Sequence, residues 1–352
     1  MEMKRTNRIN HAIRCAIIPL FAGCIAYTGC FTSFGRNPDG VRLDRMRALP
    51  YFVDGQFRNM EPPPPSPGLG MAGILKMSVS DSDPRIRPAS PLPSKKTGLA
   101  SIPGDRNILV WFGHSSYYMQ IEGVRILVDP VLSGKALLVP AFDGSDIYRA
   151  EEIPRVDYLV ITHDHWDHLD YETVRAIRDR VGRVLTGLGT GSHLESWGYR
   201  PEQIVEFAWG DRRRFNGLTV TAVTSRHFSG RTLSRNTTLW TSFVVATNVR
   251  RIFIGGDSGY GAHFRMIGEE YGPFDLALLE CGQYNAHWRT NHMFPEETAQ
   301  ASVDLRAKRL FPVHWGKFAL SIHAWDEPIK RLVAECDRRE RAGEEKIRLV
   351  HP

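Results

Sequence analysis

Thr162-His163-Asp164-His165-Trp166-Asp167-His168-Leu169-Asp170 sets four candidate metal ligands, His163, His165, Asp167 and His168, within six residues. That density does not fit one face of a helix or a strand, and it requires a loop folded around a centre. Before it, Asp157-Tyr158-Leu159-Val160-Ile161-Thr162 reads as a buried strand, and after it Tyr171 to Val181 reads as a helix. Neutral imidazole and carboxylate donors of this kind suit zinc, iron and manganese. Outward from this loop, the remaining donors arrive at later strand ends. His227 follows a strand ending at Val223. Asp257 sits in Gly255-Gly256-Asp257-Ser258-Gly259 after the run Arg251–Ile254, and His314 follows Arg309–Val313. A lone histidine or a glycine-flanked aspartate is more often structural, but three such residues at successive strand ends point to one site.

The surrounding pattern is that of a layered α/β domain. Ile108 to Phe112 is an apolar run, and Tyr117–Ile121 and Val124–Val128 flank Glu122-Gly123 as a hairpin. Further strand-like runs are Leu218–Val223, Trp240–Ala246 and Asp275–Leu279. Phe294-Pro295-Glu296-Glu297 opens a helix with proline and acids in its first turn, and Asp326 to about Arg341 closes the chain as another. The catalytic domain is expected over 105–352. Residues 31–104 read as a tether and lead-in, with the run Pro62-Pro63-Pro64-Pro65 and a second Pro/Ser-rich patch, although Phe52 to Met60 has the character to dock on the body. Residues 1–30 read as an export segment: Lys4, Arg5 and Arg8 precede an apolar stretch, and Cys24 and Cys30 are the two candidate lipidation sites. The expected location is therefore the periplasmic side of a bacterial membrane, with the membrane surface as a partner through that anchor.

The 352 residues carry a formal charge of +6, an excess mild enough to need no polyanionic partner. No long basic-aromatic insertion is present, so nucleic acid is not an expected partner. Of five cysteines three fall in the first thirty residues; Cys281 and Cys336 form neither a CxxC pair nor a disulfide framework, which excludes a thiolate metal site.

The ordered set HxHxDH, then His, Asp and His, resembles that of the metallo-β-lactamase superfamily, over about Trp111 to Trp315. The resemblance implies an αββα sandwich with metals at the strand ends. It assigns His163, His165 and His227 to one ion, Asp167, His168 and His314 to a second, and Asp257 to both. Seven donors exceed what one tetrahedral zinc uses, so two divalent ions are expected, zinc first, with iron and manganese served by the same donors. A carboxylate and a hydroxide shared between them would offset their repulsion, and that hydroxide is the expected nucleophile. Such an all-N/O site favours phosphoester or ester hydrolysis over β-lactam cleavage.

Trp111-Phe112-Gly113-His114-Ser115, Ile126 to Ser133, Gly256 to Tyr260 and His314 to Leu320 look like the N-acylphosphatidylethanolamine-hydrolysing phospholipase D branch and its bacterial relatives. By that resemblance Asp167 and His292 belong to the catalytic apparatus, with His292 touching the phosphate or assisting the leaving group. His114, Ser115 and Asp129 are expected beside the metals, Asp129 or Asp164 orienting a ligand imidazole. Glu280-Cys281-Gly282-Gln283-Tyr284 departs from the branch, which has Pro-Ile-Gly-Ala-Tyr there, and it puts an acid by the pocket. The expected substrate is a phospholipid or other phosphodiester. A lactonase or carboxylic-ester hydrolase, and a non-catalytic tethered binding protein, are the alternatives.

Overall fold

The computed structural model describes residues 32–61, 84–231 and 234–352. The export segment, with Cys24 and Cys30, and the run Pro62–Pro65 lie outside the described residues. The lead-in forms helix α1 (Gly40–Arg47) and a short hairpin of β1 (Phe52–Val53) and β2 (Gln56–Phe57). A first six-stranded sheet begins with β3 (Ile108–Trp111), β4 (Tyr117–Ile121) and β5 (Val124–Val128). After a small hairpin, β6 (Lys135–Ala136) and β7 (Val139–Pro140), it continues with β8 (Val156–Ile161), β9 (Val181–Gly187) and β10 (Ile204–Phe207). Helices α2 (Tyr171–Ile177) and α3 (Gly191–Ser196) connect its later strands, and its order is β10-β9-β8-β5-β4-β3. A second sheet runs in sequence order through β11 (Arg212–Phe215), β12 (Leu218–Val223), β13 (Ser242–Ala246), β14 (Arg251–Ile254), β15 (Leu276–Glu280) and β16 (Leu310–Val313). Helices α4 (His263–Tyr271), α5 (Pro295–Asp304) and α6 (Glu327–Arg341) belong to this half.

The period-two alternation of the strands builds four layers. In β8, Tyr158 and Val160 face between the sheets and pack with Phe207, Phe243 and Ile254, while Leu159 and Ile161 face outward against Val174 and Ile177 of α2. On the far side, Phe253 and Leu279 pack against Phe264 of α4, Ala299 of α5 and Leu332 of α6. Each such side chain contributes about 1.5–3 kcal/mol on burial. The αββα sandwich implied by the sequence resemblance is therefore the observed architecture. The β4–β5 hairpin turns at Glu122 and Gly123, both left-handed (φ 50° and 84°), as a two-residue turn requires.

Several features differ from the sequence expectation or go beyond it. The helix predicted to Val181 ends at Ile177; after a 3-10 turn at Arg178–Arg180, Val181 opens β9. That strand lies between two parallel neighbours, with Val184 and Leu185 fully buried in different layers, so it lacks the alternation that marks a half-exposed strand. The run Arg212-Arg213-Arg214 is the edge strand β11, where exposed arginines discourage pairing with another chain. In the lead-in Phe57 docks, as expected of Phe52 to Met60, and the segment before it docks too: Met46 and Phe57 are buried with Leu188, Leu239 and Trp240, and Arg42 pairs with Glu195 and Glu206. In the loop that carries the β6–β7 hairpin, Val131 and Ala136 pack on Phe318, leaving Leu137 and Leu138 exposed at its tip. Among the described residues no helix is long and apolar enough to cross a membrane.

Candidate metal centre

The loops leaving β8, β12, β14 and β16 at one end of the sandwich carry His163 to His168, His227, Asp257 and His314. They contribute to three overlapping clusters, the two described next and a third of Asp257, Glu280, His292 and His314. Donor atoms of His163, His165, His227 and Asp257 lie within 4.8 Å of one another, and so do those of His114, Asp167, His168 and His314. Asp257 stands between them. Its Oδ2 is 3.6 Å from His227 Nε2, 3.7 Å from His163 Nε2 and 3.2 Å from His168 Nε2, and its Oδ1 is 3.2 Å from His314 Nδ1. The seven residues expected as ligands are thus brought together in the expected groups, and His114 joins the second. Its Nε2 is 2.8 Å from Asp167 Oδ2, while Ser115 Oγ is 3.0 Å from His314 Nδ1.

Surrounding groups fix which ring nitrogen faces the centre. Asp129 accepts from Thr162 N at 2.8 Å, Thr162 Oγ1 at 2.6 Å and His168 Nδ1 at 2.8 Å. Because the Thr162 hydroxyl proton goes to Asp129, Thr162 Oγ1 accepts from His163 Nδ1 at 3.1 Å. His227 Nδ1 donates to the Asn291 carbonyl at 3.0 Å. His163, His168 and His227 therefore keep Nε2 for the centre. His114, Asp129 and His314 hold left-handed backbones (φ 53°, 40° and 69°), strain that the surrounding packing sustains at the site. Gly256 is also left-handed (φ 60°), and a Cβ there would meet the Thr162 Cβ at 2.9 Å, so glycine lets the Asp257 loop approach the histidine loop.

The donor set fits divalent cations. His168 Nε2 and Asp257 Oδ1 are buried without a hydrogen-bond partner among the described residues. His165 Nδ1 lies 2.9 Å from His163 Nε2 and 3.2 Å from His227 Nε2, an approach of imidazole nitrogens that a shared cation relieves. Burial and the neighbouring imidazoles push His163 well below the ordinary histidine range, and burial brings His165 down to about 4. Burial likewise lowers His168, but Asp257, Asp167 and Asp129 outweigh it and hold its pKa well above the ordinary value. Burial raises Asp257 to about 6. In the metal-free protein these carboxylates favour a proton on His168, which coordination must expel. Zinc uptake at pH 7 is expected to release protons and to strengthen as pH rises through neutrality. Calorimetry in two buffers of different ionisation enthalpy measures this, and proton-neutral uptake would contradict it.

Residues 124–315 match the beta-lactamase superfamily domain. The chain belongs to the beta-lactamase superfamily. An uncharacterized protein of Mycobacterium tuberculosis is 42% identical over 306 residues, 82% of this chain and 80% of its own length. The N-acyl-phosphatidylethanolamine-hydrolyzing phospholipase D 1 of Caenorhabditis elegans is 31% identical over 249 residues, 65% of this chain and 70% of its own. Among solved structures, Igni18, a metallo hydrolase from Ignicoccus hospitalis, superposes with a TM-score of 0.53 over 69% of this chain and 94% of its own at 22% identity, which speaks to fold alone. The chain has the metal-dependent hydrolase fold of this superfamily and, as its motifs suggested, is homologous to the phospholipase D-like branch.

Two features of this superfamily member's site are seen only in the structure, the contact between His292 and Glu280 and the part played by the lead-in. His292 lies beside the shared carboxylate, its Nδ1 4.0 Å from Asp257 Oδ2 and 2.7 Å from Glu280 Oε2. Glu280 is fully buried, which pushes its carboxyl well above the usual range. The second is the lead-in. Asp164, a candidate orienter by sequence, contacts no ligand ring and is instead a loop anchor, accepting from Gly230 N, Thr238 Oγ1 and His193 Nε2, while His193 Nδ1 accepts from Arg36 N. Buried Arg231 donates to the Asp164, Leu169 and Ser33 carbonyls and stacks on Trp166. Asn59 brackets a candidate ligand's main chain: its Nδ2 donates to His227 O at 2.9 Å and its Oδ1 accepts from His227 N at 3.1 Å. Nothing in the residues around Asn59 signals this role. Asn59→Ala is expected to weaken zinc binding about tenfold, read by chelator competition, with the folded signal retained; unchanged affinity would make Asn59 a packing residue only.

Proposed function

We propose that the chain is a phosphodiesterase that cleaves N-acylphosphatidylethanolamine-type phospholipids in the phospholipase D sense, to a phosphatidic acid and an N-acylethanolamine. The observation that carries this reading is the joint presence of two histidine–aspartate clusters sharing Asp257 and a histidine beside that carboxylate, on a chain homologous to a lipid-cleaving phospholipase D. Two divalent ions there, the expected complement, would polarise a phosphoryl oxygen and lower the pKa of a bound water towards neutrality. His163, His165 and His227 would hold one, Asp167, His168 and His314 the other. Water supplies the oxygen of the new P–O bond and gives up a proton, and the ester P–O bond breaks. The leaving oxygen takes a proton from His292, which recovers one from solvent. The exposed Leu137 and Leu138 support contact with a lipid surface. Export to the periplasmic side and anchoring through the N-terminal segment belong to the same proposal.

The test is incubation of the zinc-loaded full chain with N-acylphosphatidylethanolamine in detergent, products read by mass spectrometry, with Asp167→Asn as the inactive control. N-acylethanolamine and phosphatidic acid are expected from the intact protein alone. Absence of both, with metal bound, would overturn the lipid assignment and turn attention to lactones and smaller diesters.

A further inference from the structure

We infer that Glu280 is a positioning residue that works through His292, fixing the ring so that Nε2 is the nitrogen presented to the substrate. The inference rests on the proposed phosphodiesterase reading for its chemistry, and on geometry for its existence.

Glu280 ends β15, and His292 lies in the segment that leads into α5. Three hydrogen bonds lock that segment to the end of the strand. Glu280 Oε1 accepts from Met293 N at 2.8 Å, Glu280 Oε2 meets His292 Nδ1 at 2.7 Å, and Thr298 Oγ1 donates to the Glu280 carbonyl at 2.8 Å. The preceding residue, Asn291, accepts from His227 Nδ1, so the segment is held against the ligand loops as well. Both Glu280 oxygens are thereby committed, and among the described residues the side chain bonded to them is that of His292. A carboxyl with no solvent exposure is costly to bury for structure alone, because an apolar side chain would fill the space more favourably. His292 differs: its side chain keeps 14% exposure, and with Nδ1 taken by Glu280 its remaining polar atom is Nε2. This is the arrangement of a proton-transferring imidazole whose second nitrogen is held by a carboxyl, which sets both ring plane and tautomer. As the ester P–O bond breaks, a proton moves from Nε2 to the leaving oxygen and the Glu280 carboxyl proton passes to Nδ1, so the ring stays neutral and Glu280 holds the charge until a proton returns from solvent. The acid that sets this chain apart from the Pro-Ile-Gly-Ala-Tyr pattern thereby acquires a role.

The experiment is a double-mutant cycle in the zinc-loaded full chain with Glu280→Ala, His292→Ala and their combination, on N-acylphosphatidylethanolamine and on bis(4-nitrophenyl) phosphate. Each single change is expected to lower kcat about 10- to 100-fold with metal content unchanged, and the double variant to be no slower than His292→Ala. Losses that multiply, or loss of metal in Glu280→Ala, would overturn the inference and make Glu280 a structural or metal-supporting acid. Should Glu280→Ala fail to fold, the near-isosteric Glu280→Gln replaces it in the cycle. Should the unmodified protein cleave neither diester, the phosphodiesterase reading falls by itself. The pairing is then judged by nitrogen NMR of histidine-labelled protein, where His292 ring signals altered by Glu280→Gln sustain it and unaltered signals refute it.

Discussion

Asp257→Asn is expected to retain at most one equivalent of divalent ion and to lose turnover by about 10³-fold or more. Asparagine keeps the shape of the side chain but removes the one negative charge that both clusters share. Asp257 Oδ2 faces His163, His168 and His227, and Oδ1 faces His314. An amide offers one oxygen and turns an N–H group towards the other side, where it opposes a cation instead of binding it. Two dications a few ångströms apart would also lose the anion that offsets their repulsion. Stability should move the other way in metal-free protein. Burial brings Asp257 up to about 6, so its ionised form is disfavoured there, and the neutral amide removes that cost. The measurements are elemental analysis after dialysis and thermal unfolding with and without zinc. Two retained equivalents would show that Asp257 is not shared.

Asp129→Ala should be the most damaging change outside the seven expected ligands. Asp129 is buried and accepts three hydrogen bonds, from Thr162 N, Thr162 Oγ1 and His168 Nδ1. Alanine leaves all three donors unpaired inside the protein. Breaking a buried charged pair in this way costs about 3–5 kcal/mol, which lowers Tm on the order of 10 °C for a domain of this size. Asp129→Asn separates the two roles of the residue. Its carbonyl restores the bond to Thr162 N and its volume is unchanged, so much of the stability should return. Its amide cannot accept from His168 Nδ1, which frees the imidazole to take the wrong tautomer. Zinc affinity should therefore stay 10- to 100-fold weak in the asparagine variant, as for other residues that orient a metal-binding ring. Recovery of zinc affinity together with stability would limit Asp129 to a structural part.

Much of this was legible before the fold was known. Glu122-Gly123 located the first hairpin, and the runs at β8, β12, β14 and β16 placed every expected ligand at a strand end. Local pattern failed where an element's identity depends on what covers it. Apart from Val181, taken as the end of the preceding helix, β9 was not recognised as a strand, because Val184 and Leu185 face apolar layers on both sides. In the lead-in, docking was expected only of Phe52 to Met60, yet Met46 and Arg42 ahead of that stretch also find partners, Leu188 and Glu195 among them, more than 130 positions away in the chain.

The sequence by itself determined the chemistry of the centre: the imidazole and carboxylate donors, their order, and an acid at position 280 where the related branch has proline. Only the tertiary structure decided how those donors act. Asp257 comes to lie between two clusters because β14 stands in one sheet and the histidine loop leaves the other. His163 and His168 are turned by Thr162 and Asp129, His227 by Asn291 and Asn59, and His292 by Glu280. Each of those orienting bonds is a short-range interaction, and several join residues far apart in the chain. They form only once packing of the two sheets has brought the strand ends together, and no local pattern of residues records that approach.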